Sequence, residues 1–306
     1  MRPSYLIRTF RFFQFFRFFL SAALLSTTAT VHAQSDAEQT RIEQQVEAAL
    51  YLQRPLLDQA LATLNPSDPS RIGMYFLGVA GDGTQEVFRR EVEFVRKQFD
   101  RDFGTRGRSL TLVNSRTTVD TQPMATRTSL RAALQAIARQ MDRQKDILFL
   151  FLTSHGTPTH ELVLGQFGMD LPGLPARELA RLLKQQQIRW KVVVVSACYA
   201  GGFIAPLEDE HTLVITAARK DRSSFGCADD NDFTYFGRAF FKESLPNSSS
   251  FDEAFRQSGK LITSWELRDR QSAPKNEVIP HSYPQMSSPA TVLAYLARWR
   301  AQLPPH

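Results

Sequence analysis

The amino-acid sequence predicts an α/β fold built on a mostly parallel central sheet. Short, uninterrupted apolar runs alternate along the chain with longer segments in which apolar residues recur every three or four positions. The first pattern is typical of strands that are buried on both faces, and the second of amphipathic helices. Strands and helices that alternate in this way form parallel sheets with crossover helices packed on the faces.

The strand predictions rest on the apolar runs and on the Gly, Pro or charged residues that bound them. The most apolar run, residues 147–152, reads Ile-Leu-Phe-Leu-Phe-Leu and fits a central strand. Further strands are predicted over residues 72–80, 109–113, 191–195 and 213–218.

The helix predictions rest on helical spacing of apolar residues between these strands. Thr128 is expected to cap the second helix, because Thr is a favoured N-cap residue. Residues 233–241 and 251–267 are predicted as helices of a C-terminal part, and residues 274–289 as a loop. The apolar faces of the first three helices are Phe88, Val92, Val95 and Phe99; Leu130, Leu134, Ile137 and Met141; and Leu179, Leu182 and Leu183.

The first 33 residues have the order of charge and polarity found in secretory signal peptides. An uncharged run over residues 18–31 leads into Val31-His32-Ala33, which suits a cleavage site. We therefore expect a signal peptide over residues 1–33 and an exported protein, periplasmic or secreted. An uncleaved membrane anchor is the alternative, although the run is shorter than the roughly 18 to 20 apolar residues that a spanning helix needs. The basic residues of this segment are Arg2, Arg8, Arg11 and Arg17.

The rest of the chain is predicted to contain one domain behind a short leader. Residues 34–69 read as a helical leader and linker that ends in Asn-Pro-Ser-Asp-Pro, and residues 70–306 as the domain. Removing the signal leaves 33 basic and 31 acidic residues, a net charge of +2 instead of +6. No basic stripe with interleaved aromatic residues is present, so no nucleic-acid partner is expected. The oligomeric state stays open.

The His and Cys residues away from the strand ends form no sequence motif for binding a metal or a cofactor. HExxH and CxxC are absent, and His160, His211 and His281 have no spacing that suggests zinc ligands. Only two cysteines are present, Cys198 and Cys227. Since exported proteins often form disulfides, a Cys198–Cys227 bond is one alternative for both.

His155 and Cys198 each follow a buried strand, and both stand beside glycine-containing segments. Functional groups of a parallel sheet collect beyond the carboxyl ends of the strands. If the two strands are neighbours, their ends lie about 5 Å apart, so that an imidazole and a thiol flank one reacting carbonyl. A thiolate is the nucleophile in acyl transfer and an imidazole can return a proton to the leaving amine. The N–H groups of Gly156 and Cys198 would hold the developing oxyanion.

These residues resemble a known family. Thr153-Ser154-His155-Gly156 followed by Val195-Ser196-Ala197-Cys198 is similar to the legumain-type (C13) cysteine peptidases of the caspase-like clan. The similarity continues through Ser223-Ser224-Phe225-Gly226-Cys227 and Thr234-Tyr235-Phe236-Gly237. The resemblance implies a caspase-like three-layer sandwich, a catalytic dyad of His155 and Cys198, and an oxyanion-hole amide from Gly156.

Three positions depart from the family's pattern. An Asn that helps to orient the His in animal and plant members is missing, and Asp82 is expected to take this role. Two acids of the family's Asn-selective pocket correspond here to Ser196 and Arg238, which makes an acidic or neutral P1 residue a hypothesis. Ser223 matches a further pocket residue of the family.

The sequence therefore predicts an exported cysteine endopeptidase that hydrolyses peptide bonds through a thioester, with peptides or proteins as substrates. Transpeptidation by the same dyad is one alternative, because an amine can replace water in the second step. A non-catalytic binding module with the same fold is another. Pairing of Cys198 with Cys227 for stability or as a redox switch is the third.

Overall fold

The computed structural model describes residues 17–274 and 279–304, and its side chains from residue 37 onwards. The chain divides into two units between Glu47 and Ala48. Helix α1 covers Arg17–Ala62, and residues 1–16 of the predicted signal peptide lie outside the described residues. In the described part of the chain, no helix combines the length and apolarity that crossing a bilayer requires.

The centre of the second unit is a six-stranded sheet in the order β2-β1-β3-β6-β7-β8. The first five strands in this order are parallel, and β8 is antiparallel to β7 at the edge. A separate antiparallel pair, β4 and β5, lies in the connection after β3. The strands are β1 (Met74–Ala80), β2 (Ser109–Val113), β3 (Ile147–Thr153), β4 (Glu161–Leu162), β5 (Leu174–Pro175), β6 (Trp190–Ser196), β7 (Thr212–Thr216) and β8 (Gln285–Ser287).

Helices cover both faces of this sheet, as the alternation of patterns in the sequence predicts. Two of them, α2 and α3, show strong apolar periodicity and bury their apolar faces in the core. The helices after α1 are α2 (Val87–Asp102), α3 (Arg127–Gln140), α4 (Ala176–Gln186), α5 (Ile204–Leu207), α6 (Tyr235–Gly237), α7 (Phe251–Ser272) and α8 (Ala290–Arg300).

The strand residues alternate between two apolar cores. Leu148 and Leu150 point to the core under α3 and α4, whereas Phe149 and Phe151 point to an aromatic core under α2, α7 and α8. Burial of each such phenylalanine contributes roughly 1.5–3 kcal/mol. Because both faces are covered, the central strands β3 and β6 consist mainly of apolar residues. The predicted α/β sandwich with a mostly parallel sheet is confirmed.

The structure corrects several local predictions. Helix α3 is capped by Thr126, not Thr128, because the Thr126 side chain accepts from Ser129 N and the Ser129 side chain reciprocates. Residues 274–289, predicted as a loop, include strand β8, which is too short to show a pattern. Helix α8 was not predicted, although Val292, Tyr295, Leu296 and Trp299 have helical spacing.

The segment predicted as a helix over residues 233–241 is only partly α-helical. Helix α6 is a single turn, and residues 238–244 continue as a π-helix. A π-turn inserts one extra residue per turn, which apolar periodicity does not reveal. The carboxyl edge of the sheet lies beside this turn and carries the candidate site.

Candidate active site

His155 and Cys198 lie just beyond the ends of two neighbouring parallel strands. Strands β3 and β6 pair directly, with Thr153 opposite Ser196 in the register. A further hydrogen bond of 3.2 Å from Ser154 N to Ser196 O continues this pairing. His155 and Cys198 each follow these paired residues by two positions, so the register brings both loops to one edge of the sheet.

The imidazole of His155 is held by a residue that the sequence analysis did not single out. Its Nε2 lies 2.9 Å from Oε1 of Gln85, in the loop between β1 and α2. The edge of the ring packs against Phe88, with 5.2 Å between ring centroids. The only sequence signal for Gln85 was its place in a loop after a buried strand, where functional side chains collect.

Asp82, the predicted orienting group, lies in the same loop but has other partners. Its Oδ1 accepts from the N–H of Thr84 at 2.9 Å and from the Thr84 hydroxyl at 2.8 Å. The neighbouring Gly83 N–H donates to Gly165 O at 2.8 Å. The carboxylate of Asp82 therefore closes the turn, and the recorded partner of the His155 ring is Gln85.

The thiol of Cys198 faces the loop that follows β7. Ser224 N–H donates to Cys198 Sγ at 3.3 Å, and Sγ lies 3.6 Å from Ser224 O. Cys198 and Cys227 are both free, partly buried thiols, so the structure does not contain the alternative disulfide. Burial, with a smaller contribution from the charge of Cys198, raises the pKa of Cys227.

The backbone after Cys198 makes a tight, well-anchored turn. Tyr199 has a φ of 57°, in the left-handed region that is rare for residues other than glycine. Its N–H donates to Arg222 O at 2.7 Å, and Gly201 N–H donates to Ala218 O at 2.8 Å. His160 packs its ring on Gly202, with Nδ1 3.3 Å from Tyr199 O. The sequence by itself predicts no role for His160.

Gly156 lies in contact with the backbone of Cys198. A Cβ at position 156 would be 2.0 Å from Cys198 O, so only glycine fits without displacement of the backbone. Within the described residues, neither the N–H of Gly156 nor that of Cys198 donates a hydrogen bond to the protein. Two unpaired donors therefore lie on the loops that carry the imidazole and the thiol.

The three predicted pocket residues have different environments. Ser196 is buried, and its hydroxyl lies 3.1 Å from Oγ1 of Thr234, the N-cap of α6. Ser223 is half-buried and directly precedes Ser224, which contacts the thiol. Arg238 is exposed, with Nε 3.1 Å from a Glu243 carboxylate oxygen and its guanidinium 5.2 Å from the Trp265 ring centroid. Of the three, Ser223 is the one that directly adjoins Ser224, the residue that contacts the Cys198 thiol.

The loop that carries Ser223 and Ser224 is also tied to the start of α2. Asp229 accepts from Glu86 N–H at 2.7 Å and forms an ion pair of 2.8 Å with Arg116. Glu86 follows Gln85, the partner of His155, so the loops around imidazole and thiol share an anchor. Across the described ranges, no group of three or more His, Cys, Asp or Glu side chains is arranged to hold a metal ion.

An α/β sandwich with a mostly parallel six-stranded sheet, in which a His-Gly and an Ala-Cys follow neighbouring central strands, is consistent with a caspase-like fold. The model of the Peptidase C13 family matches residues 131–269, a segment that includes His155 and Cys198. This match confirms the resemblance to the legumain-type family over residues 131–269. The similarity to this family supports a cysteine peptidase-type function. No curated protein matches the chain.

Proposed function

We propose that this protein is an exported cysteine endopeptidase in which Cys198 is the nucleophile and His155 transfers the proton. The observation that carries the proposal is the register of β3 and β6, which places the imidazole and thiol loops side by side. The close approach of Gly156 to Cys198 O supports it, because this approach brings the backbones of the two loops into contact.

The proposed reaction begins when His155 takes the proton of the Cys198 thiol and the resulting thiolate attacks the carbonyl carbon of a peptide bond. The carbonyl oxygen becomes an oxyanion that accepts hydrogen bonds from the unpaired N–H groups of Gly156 and Cys198. His155 then protonates the leaving amine as the C–N bond breaks and a thioester forms. Water attacks the thioester with His155 as the base, which releases the acid and restores the thiol.

In the proposal, the contact between His155 and Gln85 selects which ring nitrogen takes part. An amide oxygen only accepts hydrogen bonds, so Nε2 carries the proton that it donates to Gln85 Oε1. Nδ1 is then the nitrogen that exchanges a proton with the substrate. In the proposal Gln85 therefore has the orienting role that the sequence analysis gave to Asp82.

For specificity, we propose that the P1 pocket is formed beside Ser223 and has no acid at the two family positions. Ser196 is buried beneath the site and Arg238 is paired with Glu243, so neither supplies an unpaired charge. These contacts favour a neutral P1 residue over an acidic one. A peptide library with varied P1 residues tests this, and selective cleavage after Asp or Glu would contradict it.

Export rests on the sequence of residues 1–33. The expected mature protein begins at Gln34 when the chain is expressed in a host with a secretory pathway. Intact mass of the purified protein measures this directly. A mass that corresponds to the full chain in a membrane fraction would favour the anchor instead.

The peptidase proposal is tested with peptidyl electrophiles that react with active-site thiols, and labelling is read by intact mass. We expect labelling that disappears in Cys198→Ala and falls strongly in His155→Ala. Cys227→Ala is the matched control, because it removes the other partly buried thiol and should keep wild-type labelling. No labelling of the reduced wild-type protein with any P1 residue would overturn the proposal and favour a binding module.

A further inference from the structure

One acidic side chain, Glu91 of α2, lies fully buried beneath the carboxyl ends of β3 and β6. Its Oε2 accepts from the Thr153 hydroxyl at 2.6 Å. Its Oε1 accepts from the Thr234 hydroxyl at 2.8 Å and from Thr234 N–H at 3.1 Å. A carboxylate in the core is costly unless donors satisfy it, so its presence at this place needs a reason.

The hydrogen bonds of Glu91 link the two strands that carry the candidate dyad. Thr153 is the last residue of β3, two positions before His155. Thr234 continues the chain of contacts to Ser196, the last residue of β6 and two positions before Cys198, through a distance of 3.1 Å between hydroxyl oxygens. The Glu91 carboxylate of α2 therefore connects the carboxyl ends of β3 and β6.

Glu91 also fixes the start of α6. Thr234 caps this helix by accepting from Gly237 N–H at 2.9 Å. A Cβ at Gly237 would lie only 1.6 Å from Glu91 Oε1, so the helix backbone approaches the carboxylate closely. The loop that holds the Cys198 thiol through Ser224 ends at Thr234, and its far end is therefore anchored on Glu91.

The environment of Glu91 contains donors but no opposite charge. Among the described residues, no Lys, Arg or His forms an ion pair with it, and the adjacent Arg89 and Arg90 pair with other acids. Burial raises the pKa of Glu91 to about 7, against the opposing effect of the hydrogen bonds from Thr153 and Thr234. A buried acid with a raised pKa that lies beside a candidate site is itself a candidate for a functional role.

We propose that Glu91 is a positioning residue for the candidate dyad: its carboxyl group sets the relative position of the His155 and Cys198 loops through Thr153, Thr234 and Ser196. This inference rests on the proposed function. Loss of the carboxyl group should slow the covalent step, because small displacements of a nucleophile and its proton-transfer partner are costly. It should leave substrate affinity almost unchanged, because the Glu91 side chain is fully buried and has no surface exposed for contact with a substrate.

The test uses two substitutions of Glu91 and one matched control. Glu91→Leu removes every acceptor, whereas Glu91→Gln keeps an amide oxygen for Thr234 and offers an N–H to the Thr153 oxygen. The control is Asp146→Asn, which changes another fully buried carboxylate at the opposite end of the sheet. Asp146 accepts from Gly73 N–H and Asp142 N–H, each at 2.9 Å, just before β3 begins.

Folding of each variant is first verified by near-ultraviolet circular dichroism. The limiting rate of labelling, kinact, and the affinity of the electrophile, KI, are then measured separately with a reagent that labels the wild type at Cys198. We expect kinact of Glu91→Leu to fall roughly 10- to 100-fold with KI nearly unchanged. Glu91→Gln should recover most of the rate, and Asp146→Asn should react like the wild type.

A folded Glu91→Leu protein with wild-type kinact, or an equal loss in Asp146→Asn, would overturn the inference. If Glu91→Leu does not fold, Thr153→Val decides, since it removes only the hydroxyl that donates to Glu91. Unchanged kinact in Thr153→Val would then overturn the inference, and a reduced kinact would support it. Failure of the proposed function is distinguishable, because the wild-type protein itself would then not be labelled.

Discussion

At the residue scale, the candidate dyad depends on neutral hydrogen-bond partners. Gln85 binds His155 through an amide oxygen, and Ser224 binds the Cys198 sulfur through a backbone N–H. Both partners direct a side chain without adding a negative charge beside it. Their effect is geometric, so substitutions that remove the contact should affect the chemical step more than the fold.

Substitution of Gln85 by alanine should lower kcat about 10-fold or more, because the imidazole loses the acceptor that selects its tautomer. The measurement is steady-state cleavage of a fluorogenic peptide identified from the P1 library. Asp82→Asn is the control: its amide oxygen still accepts from Thr84, while the charge is lost. Greater loss in Asp82→Asn than in Gln85→Ala would restore Asp82 as the orienting group.

Gly156→Ala should abolish measurable activity, with a loss of at least about 100-fold. The added methyl group would lie 2.0 Å from Cys198 O and must displace the backbone that supplies both unpaired N–H donors. Cleavage rate and thermal unfolding are measured together. A variant that keeps wild-type kcat would show that neither N–H group stabilises the oxyanion.

At the element scale, helices α6 and α7 each contain a glycine, and the space around the two glycines differs. Gly237 in α6 faces Glu91 at close range, whereas a Cβ at Gly259 in the interior of α7 would meet no atom within 4 Å. Glycine lowers helix stability because it loses more backbone freedom on folding than alanine does. The first glycine is required by packing and the second is not.

Gly259→Ala is therefore expected to raise the free energy of unfolding by about 0.5–1 kcal/mol. Gly237→Ala should lower it by about 1–3 kcal/mol, because the methyl group overlaps the Glu91 carboxylate. Urea unfolding of both variants beside the wild type measures the two changes. Destabilisation by Gly259→Ala would mean that α7 has a neighbour at this position in solution.

At the scale of the whole molecule, Glu91 is an acid without an opposite charge beside it among the residues that the structure describes, and it is buried where the sheet meets helix α2. Burial raises the pKa of Glu91 from its usual 4.5 to about 7. Below pH 4.5 the carboxyl group is protonated in the folded and unfolded states alike. Between pH 4.5 and 7 only the unfolded state ionises freely, and above pH 7 the folded state carries the full cost of a buried charge. The contribution of Glu91 to stability therefore falls as the pH rises through this range.

Replacement of Glu91 by glutamine should remove this pH dependence. The advantage of Glu91→Gln over the wild type in free energy of unfolding should grow by about 3 kcal/mol between pH 4.5 and pH 7.5, since each pKa unit corresponds to about 1.4 kcal/mol. Urea unfolding of both proteins at the two pH values measures it. A difference that stays constant with pH would show that Glu91 is ionised in the fold throughout.

The sequence by itself determined the strands, the principal helices and the positions of His155 and Cys198. Those features are local: a buried strand needs a continuous apolar run, a covered helix needs apolar residues at helical spacing, and loops after strands carry polar groups. The continuous apolar runs at residues 147–152 and 192–195 were enough to place both loops at strand ends, and the structure keeps both strands in the sheet.

Only the tertiary structure decided which residues support that pair. Glu91 and Thr234 are separated by 143 positions, and Gln85 and His155 by 70, so no local pattern links them. The sequence did not predict strand β8 or the π-helix either. Strand β8 is too short to show an alternating pattern, and the π-helix breaks the apolar periodicity of an α-helix. Gln85 contacts His155, and Asp82 does not, because the Asp82 carboxylate closes the turn after β1. The register of the strands and the packing of α2 together determine where this turn lies.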